Sequence, residues 1–273
     1  MPGSSTDCIL RFENVTLHYD ETPALENVSF EVRKGETRVV LGAAGSGKTT
    51  LLKAAIGLVR PDSGRIYLFG TEITRLAERD LVELRANVGI LFQEGGLFDS
   101  LTIEENVAYP LLNQPHRKVS FEEARAKVVE ALSFVELENT LDKFPAELSG
   151  GMRRRVGIAR ANVTDPPLVL YDSPTAGLDP ITANNIIIFI MKERDVSHTT
   201  SVLVTQRYQD GQILANYRYN PATRTIEKFQ PGANGNAART LFMVMREGQL
   251  VFEGPQEELE ASTDPYIVKF VRR

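Results

Sequence analysis

The sequence predicts an α/β fold with a largely parallel sheet at its centre, and three observations predict it. Runs of strand length at 37–41, 168–171 and 201–205 are mostly apolar without alternation, the pattern of strands buried on both faces. Helical patterns lie between them, and strands alternating with helices imply a parallel sheet with helices packed on it. The first run leads into a glycine-rich loop and then a helix, the context in which a phosphate-binding loop occurs. At 273 residues the chain exceeds the roughly 100–200 of a typical domain, so one large domain or two modest ones is the expectation.

Taken in order, 9–19 has the near-alternation of a half-buried strand, and a second such run, 25–32, ends at the turn signal Lys34-Gly35-Glu36. After the glycine-rich loop, 49–58 holds good helix formers with no breaker before Gly57. Between 121 and 137 the apolar residues Ala124, Val128, Ala131, Leu132 and Val135 recur at helical spacing, which makes an amphipathic surface helix. The strand at 168–171 ends in Asp172, 181–194 reads as a helix, and 201–205 is the third core strand. Residues 207–240 differ in character. A hairpin around Asn220-Pro221 spans 217–229, 231–236 reads as flexible, and five basic residues against two acidic ones leave the segment locally positive. The stretch 241–253 is strand, turn and strand around Glu247-Gly248, and no internal repeat is visible.

Lys and Arg number 31 against 36 Asp and Glu, a net charge of −5, which disfavours a generally basic nucleic-acid binder. Hydrophobic content of 42% and charged content of 25% belong to a folded globular protein. The longest apolar run, 186–191, falls far below the ~18–20 residues a membrane span needs. Residues 1–8 lack the basic-then-apolar pattern of a signal peptide. Cys8 is the single cysteine, so it has no internal disulfide partner and fits a reducing compartment as a small strand residue. The expectation is a cytoplasmic protein without a membrane anchor of its own.

The loop Gly42-Ala43-Ala44-Gly45-Ser46-Gly47-Lys48-Thr49, with Thr50 after it, matches the P-loop pattern with an extra central glycine. Gly42, Gly45 and Gly47 let backbone N–H groups, Ser46 among them, turn onto phosphate oxygens, Lys48 reaches the terminal phosphates, and the Thr49 hydroxyl suits Mg²⁺. The following helix directs its positive end at the phosphates.

A P-loop alone covers kinases, GTPases and many ATPases. The discriminating stretch is Leu148-Ser149-Gly150-Gly151-Met152-Arg153-Arg154-Arg155, about twenty residues before Asp172. Here the chain resembles the ATP-binding-cassette (ABC) ATPases, whose signature motif is LSGGQ; this chain has LSGGM. That resemblance runs over nearly the whole chain. It implies a RecA-like, largely parallel core, an N-terminal antiparallel β subdomain and an inserted helical subdomain at about 94–160, in one domain over 7–273 with an atypical insertion at about 207–240. It implies ATP and Mg²⁺ as ligands. Tyr19 falls where the family stacks an aromatic on adenine, and Gln93 at the glutamine that touches Mg²⁺. Asp172 falls at the Walker B aspartate and Asp179 at the D-loop, while Ser149, Gly150 and Gly151 form the signature that completes a partner's site. Alone, Tyr19 would read as a strand tyrosine and Gln93 as a surface residue; their register with P-loop and signature gives them meaning. Arg153-Arg154-Arg155 reads as the solvated basic face of a helix rather than a nucleic-acid contact.

Within that family, the run 91–102, the run 105–111 and Gly177-Leu178-Asp179-Pro180-Ile181-Thr182 are similar to the ATPases of Mla/Mce-type lipid transporters, as is the methionine of LSGGM. The resemblance implies a subunit that pairs with a second ABC ATPase and sits on the inner face of the cell membrane beneath a separate permease. It touches the membrane only through that permease and binds no nucleic acid. Leu97 and Phe98 are the expected exposed apolar docking patch.

Two positions depart from the family. Its catalytic glutamate follows the Walker B aspartate, and here that residue is Ser173; its switch histidine follows the next core strand, and here that residue is Gln206. Both departures fall on hydrolysis and leave the binding residues intact. The alternatives are the degenerate half of a heterodimer, an ATPase for another solute, and a soluble nucleotide-dependent switch.

Overall fold

A computed structural model describes residues 7–115, 118–228 and 240–272, so the stretch 231–236, read above as flexible, lies outside the described residues. Strands β1 (Cys8–Tyr19) and β2 (Thr22–Arg33) form a hairpin, and β3 (Thr37–Leu41) runs through the glycine-rich loop into helix α1 (Lys48–Ala55). Strands β4 (Ser63–Leu68) and β5 (Thr71–Glu72) return to the hairpin, giving an antiparallel sheet of order β2-β1-β4-β5. Helix α2 (Glu78–Arg85) and strand β6 (Val88–Leu91) come next. Three helices follow, α3 (Ile103–Leu112), α4 (Phe121–Phe134) and α5 (Gly150–Asn162). The chain then alternates through β7 (Leu168–Asp172), α6 (Pro180–Ser197), β8 (Thr200–Thr205) and α7 (Tyr208–Asn216). It ends with the hairpin β9 (Tyr217–Asn220) and β10 (Thr225–Lys228), strands β11 (Thr240–Arg246) and β12 (Gln249–Gly254), and helices α8 (Gln256–Glu260) and α9 (Pro265–Val271).

The central sheet has the order β12-β11-β3-β8-β7-β6, and all neighbours are parallel except β12 with β11. Every residue of β3, β7 and β8 is buried, as the runs without alternation predict. The two-residue strand period sorts them between two cores. Val39, Leu41, Val169, Tyr171 and Leu203 face helices α3 to α6, whereas Val40, Leu168, Leu170, Val202 and Val204 face α1 and the N-terminal antiparallel sheet.

Several boundaries have visible causes. Capping boxes at Thr102/Glu105 and Ser120/Glu123 start α3 and α4. The helix read at 49–58 stops at Ala55, because Ile56 leaves helical geometry (φ −114°) and Gly57 turns left-handed (φ 67°). Glu247 and Gly248 both take positive φ, the geometry of a tight two-residue hairpin turn. The segment 207–240 is less foreign than its composition predicts, since 208–216 form α7 against the sheet. Gly211 allows this, because a Cβ there would lie 2.5 Å from the Phe242 ring. Beyond α7 the hairpin is as read over 217–228, residue 229 lying outside the described residues, and it is tied down by Arg194 donating to the Tyr217 carbonyl (3.0 Å) and by the Tyr219 N–H donating to Asp195 (2.6 Å).

Glu193 on α6 is a half-buried carboxyl. Burial, and then the nearby Asp165 carboxylate, push it up to about 7 from its ordinary 4.5, with a Ser197 hydrogen bond opposing. The folded state therefore holds this proton more tightly than the unfolded chain, and stability from this group is lost as pH rises from about 4.5 through about 7. Glu193→Gln is expected to raise the melting midpoint by several degrees at pH 8 and hardly at pH 5, read by thermal scans at both; an equal shift at both would contradict the assignment.

Candidate nucleotide-binding site

Strands buried on both faces leave only their ends for chemistry, and four parallel strands deliver the predicted residues at their carboxyl ends. β3 ends at Leu41 and enters the loop 42–47, while β8, beside it, ends at Thr205 with Gln206 following. β7 ends in Asp172, and β6 leads through Phe92 to Gln93 at the start of a 3-10 turn.

The P-loop is pressed against its neighbours. A Cβ on Gly42 would lie 2.6 Å from the Met245 carbonyl, and one on Gly47, at φ 97°, 2.2 Å from the Ala24 carbonyl. Only glycine fits these two approaches. Ala24 lies on β2 close to the Tyr19–Thr22 pair, so Tyr19, half-exposed at the end of β1, stands on the hairpin that abuts the loop. Lys48 is buried, and its Nζ donates to the carbonyls of Gly42 (2.9 Å) and Ala43 (2.7 Å) and to Ser46 Oγ (3.2 Å). Burial lowers its pKa to about 8, with Asp172 opposing. Thr50, in the first turn of α1, is half-buried.

Asp172 Oδ1 accepts from Thr49 Oγ1 (3.3 Å) and from Ser173 Oγ (3.1 Å). A hydroxyl and a carboxylate are hard oxygen donors of the kind Mg²⁺ takes together with waters and phosphate oxygens, so this pair fits that ion. Among the described residues no group of three or more His, Cys, Asp or Glu could hold a metal. Ser173 has positive φ (51°), and its N–H donates to the Val204 carbonyl (2.9 Å). Gln206 is exposed. Between these two altered positions lies Asp210, which sequence reading missed. It is fully buried on α7, and its Oδ2 accepts from Thr175 Oγ1 (2.6 Å) and Thr205 Oγ1 (2.7 Å), while Arg207 lies 3.5 Å from its Oδ1. It ties the segment after Ser173 to the strand end before Gln206.

The signature residues open α5. Ser149 is its N-cap, with Oγ accepting from the Met152 N–H (3.2 Å), and a Cβ on Gly151 would lie 2.7 Å from Thr182. The three arginines that follow are not a solvated face. Arg153 donates to the Leu148 carbonyl (2.6 Å), buried Arg154 to that of Ala176, and Arg155 to that of Val135 (3.1 Å). Neighbouring loops end in unpaired carbonyls, and the guanidinium is the donor long enough to reach them. One helical stretch further on, Arg160 donates to the carbonyls of Gly95 and Gly96 (both 2.9 Å) and holds the turn after Gln93. Gln93, Gly150, Arg153, Arg154 and Gly177 line one open groove. Asp179 caps α6 by accepting from the N–H groups of Ile181 (3.1 Å) and Thr182 (3.0 Å), and hydrogen bonding from the Thr182 side chain first, then from these N–H groups, lowers its pKa.

The predicted apolar patch is half right. Phe98 is exposed and its ring lies 4.8 Å from that of Tyr109, but Leu97 is half-buried and packs into the core. The loop is set by fully buried Asn106, whose amide exchanges hydrogen bonds with the main chain of Phe98 and reaches the carbonyls of Leu101 and Thr102 (2.8 to 3.0 Å). Asn106 shares the apolar face of Ile103 and Val107, and that polar interruption was its legible signal.

This arrangement defines a P-loop nucleotide-binding domain of the α/β class. Residues 25–176 match the ABC transporter family, and the chain belongs to it as an ABC ATPase domain. It is 35% identical over 266 residues to the probable ribonucleotide transport ATP-binding protein mkl of Mycobacterium leprae, covering 96% of this chain and 68% of that protein. It is 31% identical over 264 residues to the intermembrane phospholipid transport system ATP-binding protein MlaF of Haemophilus influenzae, covering 97% and 90%. The dimeric ATP-binding cassette MJ0796, in a post-hydrolysis state bound to ADP and Pi, superposes with a TM-score of 0.76 at 28% identity, covering 90% of this chain and 98% of that one.

Asp210→Ala strands two buried hydroxyls and is expected to lower stability by about 2 kcal/mol or more, whereas Asp210→Asn keeps an acceptor and costs less than half of that. Denaturant titration of both variants checks the ranking.

Proposed function

We propose that this chain is the ATP-binding subunit of a bacterial ABC transporter that moves phospholipid or another lipid across the cell envelope, binding ATP normally and hydrolysing it slowly. The observation carrying the binding half is the convergence of Lys48, Thr49 and Asp172 at the carboxyl ends of β3 and β7, either side of β8, with the glycine-rich loop pressed into place. Similarity to MlaF over nearly the full length of both chains supports the lipid cargo.

In this reading the N–H groups of the P-loop and the positive end of α1 receive the phosphates, and Lys48 Nζ, held at three oxygens, is placed to exchange them for phosphate oxygens. Tyr19 supports the adenine, while Gln93 and Asp179 lie on the edges that meet γ-phosphate and partner. Bound between Thr49 and Asp172, Mg²⁺ would neutralise phosphate charge. The attacking water then lacks its usual carboxylate. Ser173 donates its hydroxyl proton to Asp172 and, near pH 7, is a poor acceptor for another. General-base assistance contributes roughly 10²–10⁴ in rate, so its loss dominates. Gln206, exposed at the end of β8, can still donate an amide hydrogen bond to the γ-phosphate, which makes it the milder change.

The chain works as a dimer, Ser149 to Gly151 of each subunit closing the other's nucleotide, beneath a permease at the inner face of the cell membrane. No helix among the described residues is long and apolar enough to cross a membrane, which supports a separate permease. A second reading has specific support. The signature is intact while positions 173 and 206 are altered, the combination a heterodimer half needs when its partner carries the glutamate and histidine. Similarity to mkl leaves a different solute as the corresponding alternative for cargo.

With permease present, Ser173→Glu/Gln206→His is expected to raise steady-state ATPase turnover on the order of a hundredfold over wild type. A wild type already turning over within the ordinary enzyme range of roughly 1–10³ s⁻¹, or no gain in the double variant, would refute slow hydrolysis. Phe98→Asp is expected to release the chain from its permease in a membrane pull-down while sparing titration by a fluorescent ATP analogue. Co-purification with a second, complete ATPase would favour the heterodimer.

A further inference from the structure

The nucleotide site has a contact that none of the P-loop, signature or Walker residues accounts for. The Ala43 N–H, in the exposed first turn of the P-loop, donates to the phenol oxygen of Tyr266 (3.0 Å), and that hydroxyl donates onward to the Met245 carbonyl (3.0 Å). Tyr266 lies on α9, 223 residues further along the chain. The same Met245 carbonyl is the atom against which Gly42 is pressed, so Gly42 and Ala43 meet β11 within one turn of backbone. We propose that Tyr266 is a positioning residue for the nucleotide, setting the first turn of the P-loop before any phosphate arrives. This rests on the reading that the P-loop binds ATP.

Two physical arguments carry the proposal. A loop with glycine at 42, 45 and 47 has high backbone freedom, and ordering it on binding costs affinity unless it is ordered beforehand. The bond also shows that not every amide of the loop is free to turn inward. The Ala43 N–H is committed to a phenol, so it anchors the loop and is not among the phosphate donors. Further contacts fix the ring itself. Asp264 caps α9 by accepting from the Tyr266 N–H (2.7 Å), Arg246 lies over the ring at 5.6 Å and 3.7 Å from Asp264, and Phe270 meets the ring edge-on at 5.2 Å. A second anchor lies close by, where the Gly248 N–H donates to the Ser46 carbonyl (3.3 Å). The C-terminal end of the chain thus frames the loop from outside.

Tyr266→Phe removes one oxygen atom and keeps the ring. Two measurements are made on the full chain: amide hydrogen exchange of Ala43 without nucleotide, and titration with a fluorescent ATP analogue. Phe270→Leu is the comparison, since it disturbs the ring's packing and leaves the hydroxyl. Tyr266→Phe is expected to accelerate Ala43 exchange at least tenfold and to weaken nucleotide affinity about three- to tenfold, with the melting midpoint of the nucleotide-free protein nearly unchanged. Phe270→Leu should leave exchange and affinity within about twofold. Unchanged affinity in Tyr266→Phe overturns the proposal, as does an affinity loss without faster Ala43 exchange, or equal effects from Phe270→Leu. If wild type takes up no nucleotide, the reading of ATP binding fails, and unaltered Ala43 exchange would then overturn the Tyr266 contact independently.

Discussion

Burial of the central sheet on both faces is the constraint from which the site follows. Every residue of β3, β7 and β8 is buried, so no functional side chain stands in the middle of these strands. Chemistry is confined to the turns at the carboxyl ends, and parallel pairing brings those ends to one edge. The order β3-β8-β7 then sets the Gln206 turn between the P-loop and Asp172. Asp210 secures that edge with a carboxylate shared by two threonines, a bond pair made possible by dry surroundings and costly to leave half made.

A second organising element is α5. Its N-terminus presents the signature, Arg154 holds the carbonyl of Ala176 ahead of the Asp179 cap, and Arg160 holds the turn that follows Gln93. Gly157 lets the helix approach this turn, since a Cβ there would lie 2.5 Å from Leu91. Three loops that the proposed function places at nucleotide or partner subunit are therefore attached to one helix. A displacement of α5 by a partner would be felt at all three, because buried packing transmits small shifts as units.

What was legible in the sequence was whatever repeats or stands in a fixed local pattern. The core strands announced themselves by apolar runs, the P-loop by glycines between strand and helix, and the Glu247-Gly248 hairpin by its turn residues. The misreadings concern partners remote in sequence. Arg153, Arg154 and Arg155 look like a solvated run until their carbonyl acceptors are in place. Helix α7 was hidden inside the locally basic stretch 207–240, and what seats it, Gly211 packed close against Phe242, is a contact remote in sequence. Leu97 and Phe98 are both apolar neighbours, and only the fold turns one into the core and the other outward. Nothing local marks Tyr266, because its donor lies on the P-loop and its acceptor on β11.

In the proposed function, binding and hydrolysis separate at one residue boundary. Asp172 belongs to the oxygen pair that suits Mg²⁺, and the next residue, Ser173, turns its hydroxyl back onto that aspartate. Phosphoryl transfer depends on positioning and electrostatics, most of which this site retains, so the account predicts a long-lived ATP complex rather than an inert protein. The most direct test is a single-turnover experiment on the unaltered chain, with protein in excess over radiolabelled Mg·ATP and bound nucleotide analysed over time. The account predicts that ATP is captured and persists unhydrolysed for many minutes. Conversion of the captured ATP to ADP at about 1 s⁻¹ or faster would contradict it.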